Sequence, residues 1–261
     1  MAAAGGKITP DSILRLRPAK MRAAGHVVAE ILAEMGKRIE PGMRTADIDA
    51  IAARLLKQRG ATSPFLHYPH HQGGPPFPAS TCVSINEELV HGIPGKRMLA
   101  EGDVVSVDVG AVLDGWVGDA AWTFGVGQIS PLAQKLLDVT REALFAGIAA
   151  AQSGKRVGDV GHAVEQVVCA NGFSVIRDYV GHGVGREMHE DPQVPNFGTP
   201  GRGVKLQEGM TFALEPMVSV GSPRTRELKD HWTVVIADKS LCAQFEHTIA
   251  IHNGSAEILT Q

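Results

Sequence analysis

From Pro18 onward, apolar residues recur at helical spacing. Met21, Val28, Ile31, Leu32 and Met35 fall on one face, which predicts a helix that Pro41-Gly42 stops. Thr45 then reads as the N-cap of a second helix, with Ile48, Ile51, Leu55 and Leu56 as its buried stripe and Gly60 at its end. Residues 63–81 have neither period. They are rich in proline, glycine and histidine, so they read as an irregular loop, and a loop this long inside a compact domain often serves function. Period two begins at Cys82 and runs strongly through residues 103–127, where Asp114-Gly115 signals a hairpin turn. Ser130-Pro131 opens a long helix through Gln152, with the serine as N-cap and the proline at the first position. A shorter helix over 157–170 ends at Asn171-Gly172, and short strands follow around 174–180, 210–220, 231–237 and 245–251.

The order is helix, helix, hairpin, then helix, helix, strands. This is an α+β pattern repeated roughly twice, not the alternation of a parallel sheet. The first dozen residues are small and polar. They predict a flexible N-terminus over 1–12 ahead of one domain over 13–261.

Composition narrows the class. Of 261 residues, 44% are hydrophobic and 20% charged, enough apolar material for a sizeable core. The formal charge of −3 argues against a protein that lives by gripping phosphate backbones. No apolar run approaches the ~18 residues of a membrane span, and the start of the chain lacks the pattern of a secretory signal. Cys82, Cys169 and Cys242 are odd in number and widely spaced, which predicts free thiols and a cytoplasmic location.

Candidate chemistry lies in three places. Val105, Val107 and Val109 alternate with Asp108, so the acid points away from the valine face. Asp119 returns on the second strand. Centring the turn on 113/114 puts it directly opposite Asp108, and centring it on 114/115 makes the two diagonal neighbours on one face. Two carboxylates on a strand of valines need a shared proton, a basic partner or a metal. The segment GHGVGREMHEDP carries His182 between two glycines and His189 seven residues later. Glu215 and Glu246 stand in apolar strands with no basic neighbour, and His91 follows the strand from Cys82. Carboxylates with imidazole suit Mn, Fe, Co or Zn ions, and four negative charges balance two divalent ions. Paired metals ~3.5–4 Å apart are a hydrolytic arrangement in which a bridging hydroxide is the nucleophile.

Six segments together, VHGIP (90–94), DVG (108–110), GDAA (118–121), GHGVGREMHE (181–190), LEPM (214–217) and FEHT (245–248), closely resemble the type I methionine aminopeptidases. The likeness runs in order over nearly the whole chain. It implies the pita-bread fold, two pseudo-symmetric αβ halves around a central antiparallel sheet. It also implies two divalent ions (cobalt, manganese, iron or zinc) held by Asp108, Asp119, His182, Glu215 and Glu246, with Asp119 and Glu246 bridging. A bridging hydroxide would attack the first peptide bond, with His189 on the carbonyl side, His91 nearer the amide nitrogen and Glu215 carrying the proton. Cys82, Met188 and Trp232, with Tyr68 or Phe65 as an aromatic wall, would hold the methionine side chain.

The implied activity is removal of the initiator methionine when the second residue is small. The implied partners are nascent polypeptide N-termini, with transient ribosome contact, no nucleic-acid specificity, no membrane and a monomeric state. Basic residues for ribosome contact would be Arg15, Arg17, Lys20 and Arg22. Two features depart from the family pattern: the 65–81 loop is longer and richer in His and Pro, and His231 stands where a small residue is more common. An X-Pro aminopeptidase or prolidase would use a similar metal set but carries an extra N-terminal domain. A non-catalytic ribosome-associated relative would have lost ligands.

Overall fold

The computed structural model describes residues 10–70 and 73–261, with the side chains of residues 10–17 outside that description. The helices are α1 (Pro10–Arg38), α2 (Thr45–Gln58), α3 (Pro131–Ala150) and α4 (Val157–Ala170). In the first half the strands are β1 (Cys82–Ile85), β2 (Glu88–Val90), β3 (Val104–Leu113) and β4 (Trp116–Gly125). The second half carries β5 (Ser174–Val175), β6 (Gly181–Gly183), β7 (Glu190–Val194), β8 (Thr211–Leu214), β9 (Met217–Ser219) and β10 (Thr225–Glu227). It closes with β11 (Val234–Ile236), β12 (Cys242–Gln244), β13 (His247–His252) and β14 (Ser255–Ile258).

Each half puts two helices behind an antiparallel sheet. In the first, β1, β3 and β4 lie side by side, and Val105, Val107 and Val109 pack with Ile31, Met35 and Ile48 of α1 and α2. In the second, the sheet order is β14-β13-β8-β6-β7, and Phe212, Leu214 and Ile249 pack with Leu136, Leu144 and Val160 of α3 and α4. The same local device starts α2 and α4. The Asp47 carboxylate accepts the Arg44 N–H, and the Asp159 carboxylate accepts the Arg156 N–H, each three residues into the turn where an acid also complements the helix dipole.

The halves are joined strand to strand at the centre. Glu246 N–H donates to Ala121 C=O at 2.8 Å, and Thr248 Oγ1 both donates to Asp119 C=O and accepts its N–H. Thr123 Oγ1 does the same for Gln244 two residues further along β4. Because alternate residues face opposite sides of a strand, the helices cover Phe245 and Ile249 while Glu246 and Thr248 face inward.

Several expectations need correction. Helix α1 begins at Pro10, so Pro18 lies inside it and residues 10–12 are helical; residues 1–9 of the expected flexible N-terminus lie outside the described residues. Thr45 is not the N-cap of α2. Arg44 is, and the Thr45 hydroxyl instead exchanges hydrogen bonds with the backbone of Gly95. The strand expected at 210–220 is split at Glu215-Pro216, because proline has no N–H for the ladder. The strands expected at 174–180 and 231–237 shrink to Ser174–Val175 and Val234–Ile236. Among the described residues no helix is long and apolar enough to cross a membrane.

Candidate metal centre

The β3–β4 turn settles the first pair of acids. Asp114 and Gly115 both have positive φ, at 52° and 72°, the geometry that a two-residue hairpin needs to match strand twist. Leu113 therefore faces Trp116, Asp108 faces Ala121, and Gly110 faces Asp119. Asp108 and Asp119 are diagonal neighbours on the face opposite the valines.

The second pair comes from strands far apart in sequence. Leu214 lies opposite His247 and Met217 opposite Gln244, so the register runs unbroken across the gap and Glu215 stands opposite Glu246. The backbone bonds between β4 and residues 244–248 bring this pair against the first. His182, on β6 in the same sheet as β8, completes the group. Its Nε2 lies 3.8 Å from Asp119 Oδ2 and 3.7 Å from Glu215 Oε1. Ligand atoms of Asp119, His182 and Glu246 all fall within 4.8 Å of one another.

The cavity these acids line, ≈ 960 Å³, contains neither lysine nor arginine among its described walls. Asp119 and Glu246 are each only 2% exposed. Asp108 Oδ1, Asp119 Oδ1 and Glu246 Oε1 are buried acceptors without a protein hydrogen bond. Burial raises all four acids, pushing Asp108 up to about 7 and the others well above the carboxylate range, with mutual repulsion adding to Asp119, Glu215 and Glu246. His182 is pushed down to about 4 by burial, and its Nδ1 lies 2.9 Å from Gly183 C=O. That carbonyl can only accept, so the imidazole proton sits on Nδ1 and the Nε2 lone pair faces the carboxylates. A cluster of orphaned carboxylate oxygens with one aimed imidazole nitrogen is a donor set for divalent ions of the Mn, Fe, Co and Zn type.

Every other candidate from the sequence lines the same cavity: Cys82, His91, Met188, His189, Trp232, Tyr68 and Phe65. The His189 ring lies 4.3 Å from that of His182, tilted at 56° to it, and the Tyr68 hydroxyl lies 2.7 Å from His189 Nδ1. His91, held at φ 59°, meets Tyr179 and Trp232 edge to face at 6.0 and 6.2 Å. Phe65, Phe77, Cys82, Met188 and Trp232 form one buried apolar cluster beside the acids. The long loop is tied down to it: Trp232 Nε1 donates to Pro75 C=O at 2.9 Å, and Phe77 N–H donates to Tyr68 C=O at 2.9 Å. Of the loop histidines, His70 packs on Trp232 at 5.1 Å and meets His231 at 6.2 Å, while His71 lies outside the described residues.

Three neighbours escaped sequence reasoning. Asn196, fully buried, donates from Nδ2 to Glu215 C=O at 2.9 Å. Gln244 Nε2 reaches Glu215 Oε2 at 3.4 Å, and Tyr179 walls His91. Only the register of β12 against β9 could have pointed to Gln244, and nothing local marks the other two. The basic residues proposed for ribosome contact fare differently. Lys20 lies 3.8 Å from Asp114 and Arg22 pairs with Glu257, while the side chains of Arg15 and Arg17 lie outside the described residues.

A sequence model of metallopeptidase family M24 matches residues 19–253. Methionine aminopeptidase 1 of Bacillus subtilis is 49% identical over 241 residues, which is 92% of this chain and 95% of that protein. The crystal structure of the methionine aminopeptidase of Thermotoga maritima superposes with a TM-score of 0.91 at 48% identity, covering 97% of this chain and 98% of the other. The prolidase of Pyrococcus furiosus shares the fold at 22% identity, with a TM-score of 0.73, 96% of this chain covered and 67% of that one.

Proposed function

The chain belongs to metallopeptidase family M24, and from that premise we propose that it removes the N-terminal methionine from polypeptides whose second residue is small. The observation that carries this reading is a pair of carboxylate pairs, buried in a cavity whose described walls hold no lysine or arginine, beside a cluster of buried apolar side chains.

Asp108, Asp119, His182, Glu215 and Glu246 would hold two divalent ions. When bound, such ions bring the deprotonation of a coordinated water toward neutral pH and polarise a carbonyl. The remaining roles belong to the chain's own groups. Cys82, Met188, Trp232 and the aromatic rings of Phe65 and Tyr68 surround an unbranched thioether, which packs well against sulfur and aromatic surfaces. His189 hydrogen-bonds the substrate carbonyl oxygen as negative charge builds on it. His91 sits on the side of the leaving amide nitrogen. Glu215 takes the proton that the attacking water gives up and passes it to that nitrogen as the C–N bond breaks. The acidic group also attracts the free α-amine, which restricts cleavage to the first residue.

The same reading makes the protein a cytoplasmic monomer acting on nascent N-termini near the ribosome, with cobalt, manganese, iron or zinc as its ions. Metal-loaded protein should cleave Met-Ala-Ser and leave Met-Leu-Ser and Ala-Pro intact. Cleavage of Ala-Pro in preference to Met-Ala-Ser would move the assignment to a proline-directed peptidase.

A further inference from the structure

The contact between Tyr68 and His189 has a direction. Tyr68 Oη lies 2.7 Å from His189 Nδ1, with the two rings edge to face at 5.4 Å and 71°. At their ordinary values a phenol and an imidazole are both mostly uncharged at pH 7, so one proton lies between oxygen and Nδ1. Either the phenol donates, and the imidazole proton is on Nε2, or Nδ1 donates, and Nε2 carries a lone pair.

Relative acidity selects the first arrangement: a phenol is a far stronger acid than a neutral imidazole N–H, so across the 2.7 Å contact the proton-donating role falls to the tyrosine.

Tyr68 is held in place for this. Its N–H donates to Phe65 C=O at 2.8 Å, its C=O accepts from Phe77 N–H at 2.9 Å, and Trp232 anchors the far side of the loop through Pro75. The tyrosine is carried by the histidine- and proline-rich segment that departs most from the family pattern.

We infer that Tyr68 is a positioning residue that fixes His189 as the Nε2–H tautomer, so that a hydrogen-bond donor faces the cavity. The use of that donor, on the substrate carbonyl oxygen, rests on the proposed function. The tautomer does not. His182 and His189 thus carry opposite tautomers side by side, the first offering a lone pair to the carboxylate group and the second a proton. Without the tyrosine hydroxyl both forms of His189 populate, and the Nδ1–H form turns a lone pair toward the developing negative charge. A single neutral hydrogen bond of this kind biases the tautomers by roughly three- to tenfold.

The test is long-range nitrogen-15 NMR of the imidazoles in zinc-loaded wild type and Tyr68→Phe, with His189 assigned by its loss in His189→Asn. Wild type should show the His189 proton on Nε2, and Tyr68→Phe should move the nitrogen shifts toward a mixture. In parallel, kcat on Met-Ala-Ser should fall by about a third to a half in Tyr68→Phe, as a three- to tenfold bias relaxes to an even mixture, with KM unchanged because the aromatic wall remains. A wild-type proton on Nδ1, unchanged nitrogen shifts in the variant, or shifted nitrogens with an unchanged kcat would each overturn the inference. If wild type cleaves no methionyl peptide, the proposed substrate is wrong, and the nitrogen shifts still decide the Tyr68–His189 relationship.

Discussion

Glu215 faces Glu246 at the point where the antiparallel pairing of their strands is interrupted. Pro216 causes the interruption, having no N–H to give to Phe245 C=O, while the outward-pointing backbone groups of the two acids are paired elsewhere: Glu246 N–H donates to Ala121 C=O and Glu215 C=O accepts from the Asn196 amide. Both acids thus stand at the cavity with these peptide groups paired.

Asn196 should therefore matter to stability although it lies outside the proposed ligand set. Asn196→Leu strands the Glu215 carbonyl in a buried site and should cost about 1–3 kcal/mol in urea unfolding. Asn196→Asp should cost more at pH 7, because an acceptor then faces an acceptor and a charge is buried. A leucine variant as stable as wild type would remove Asn196 from the account.

The family resemblance implies that Glu246 is shared by both ions, so Glu246→Gln should weaken both binding events, whereas Asp108→Asn should weaken one far more than the other. Calorimetric titration of stripped protein with Mn or Co separates these patterns. Equal effects of the two substitutions would contradict the bridging assignment.

Stability of the metal-free protein should fall as pH rises above 6.5. The four acids titrate near 4 when unfolded and higher when folded, Asp108 at about 7, so their contribution is full below pH ~4 and is lost as pH rises through the folded values. His182 and His247 go the other way: each is pushed down to about 4 by burial, so their own contribution rises with pH between about 4 and 6.5 and partly offsets the acids there. Above 6.5 the histidines no longer oppose the acids. Melting temperature measured from pH 6.5 to 8 should drop for stripped protein and should be restored by a divalent ion, most strongly at pH 8. A flat profile without metal would show that the acids are not buried as described.

Gly25 sets how closely α1 crosses the rest of the fold. A Cβ there would lie 2.0 Å from Leu259 O, and one on Gly118 of β4 would lie 2.6 Å from Gly25 N. Neither backbone can move away cheaply, so Gly25→Ala should cost at least about 1–3 kcal/mol. Thermal melts compare it with Gly42→Ala, which meets nothing within 4 Å and is penalised through its positive φ.

Much of this was legible in the chain. Helical spacing located α2 and the greater part of α1, the Ser130-Pro131 start and the Asn171-Gly172 stop marked α3 and α4, and alternation with Asp114-Gly115 located the hairpin that pairs Asp108 with Asp119. The juxtaposition of Glu215 and Glu246 was not, because it depends on register between strands that no local signal connects. Pro18 misled for a physical reason: proline suits a first helical turn, and both Pro10 and Pro18 qualify. The twofold repeat did leave a trace that goes unnoticed without the structure. Arg44-Thr-Ala-Asp47 and Arg156-Val-Gly-Asp159 open equivalent helices with the same backbone-to-carboxylate bond. The mouth of the cavity was least legible, since Tyr68, His70 and Pro75 are placed by contacts with Trp232 and His189 that are distant in sequence.

The most direct test of the account is to strip the protein of metal and titrate it with Mn or Co while following both bound metal and hydrolysis of Met-Ala-Ser. The account predicts no hydrolysis without metal, two ions bound per chain at saturation, activity that rises with occupancy, and no activity in Asp108→Ala at any metal concentration. Full activity in the stripped protein, or activity that ignores Asp108, would contradict it.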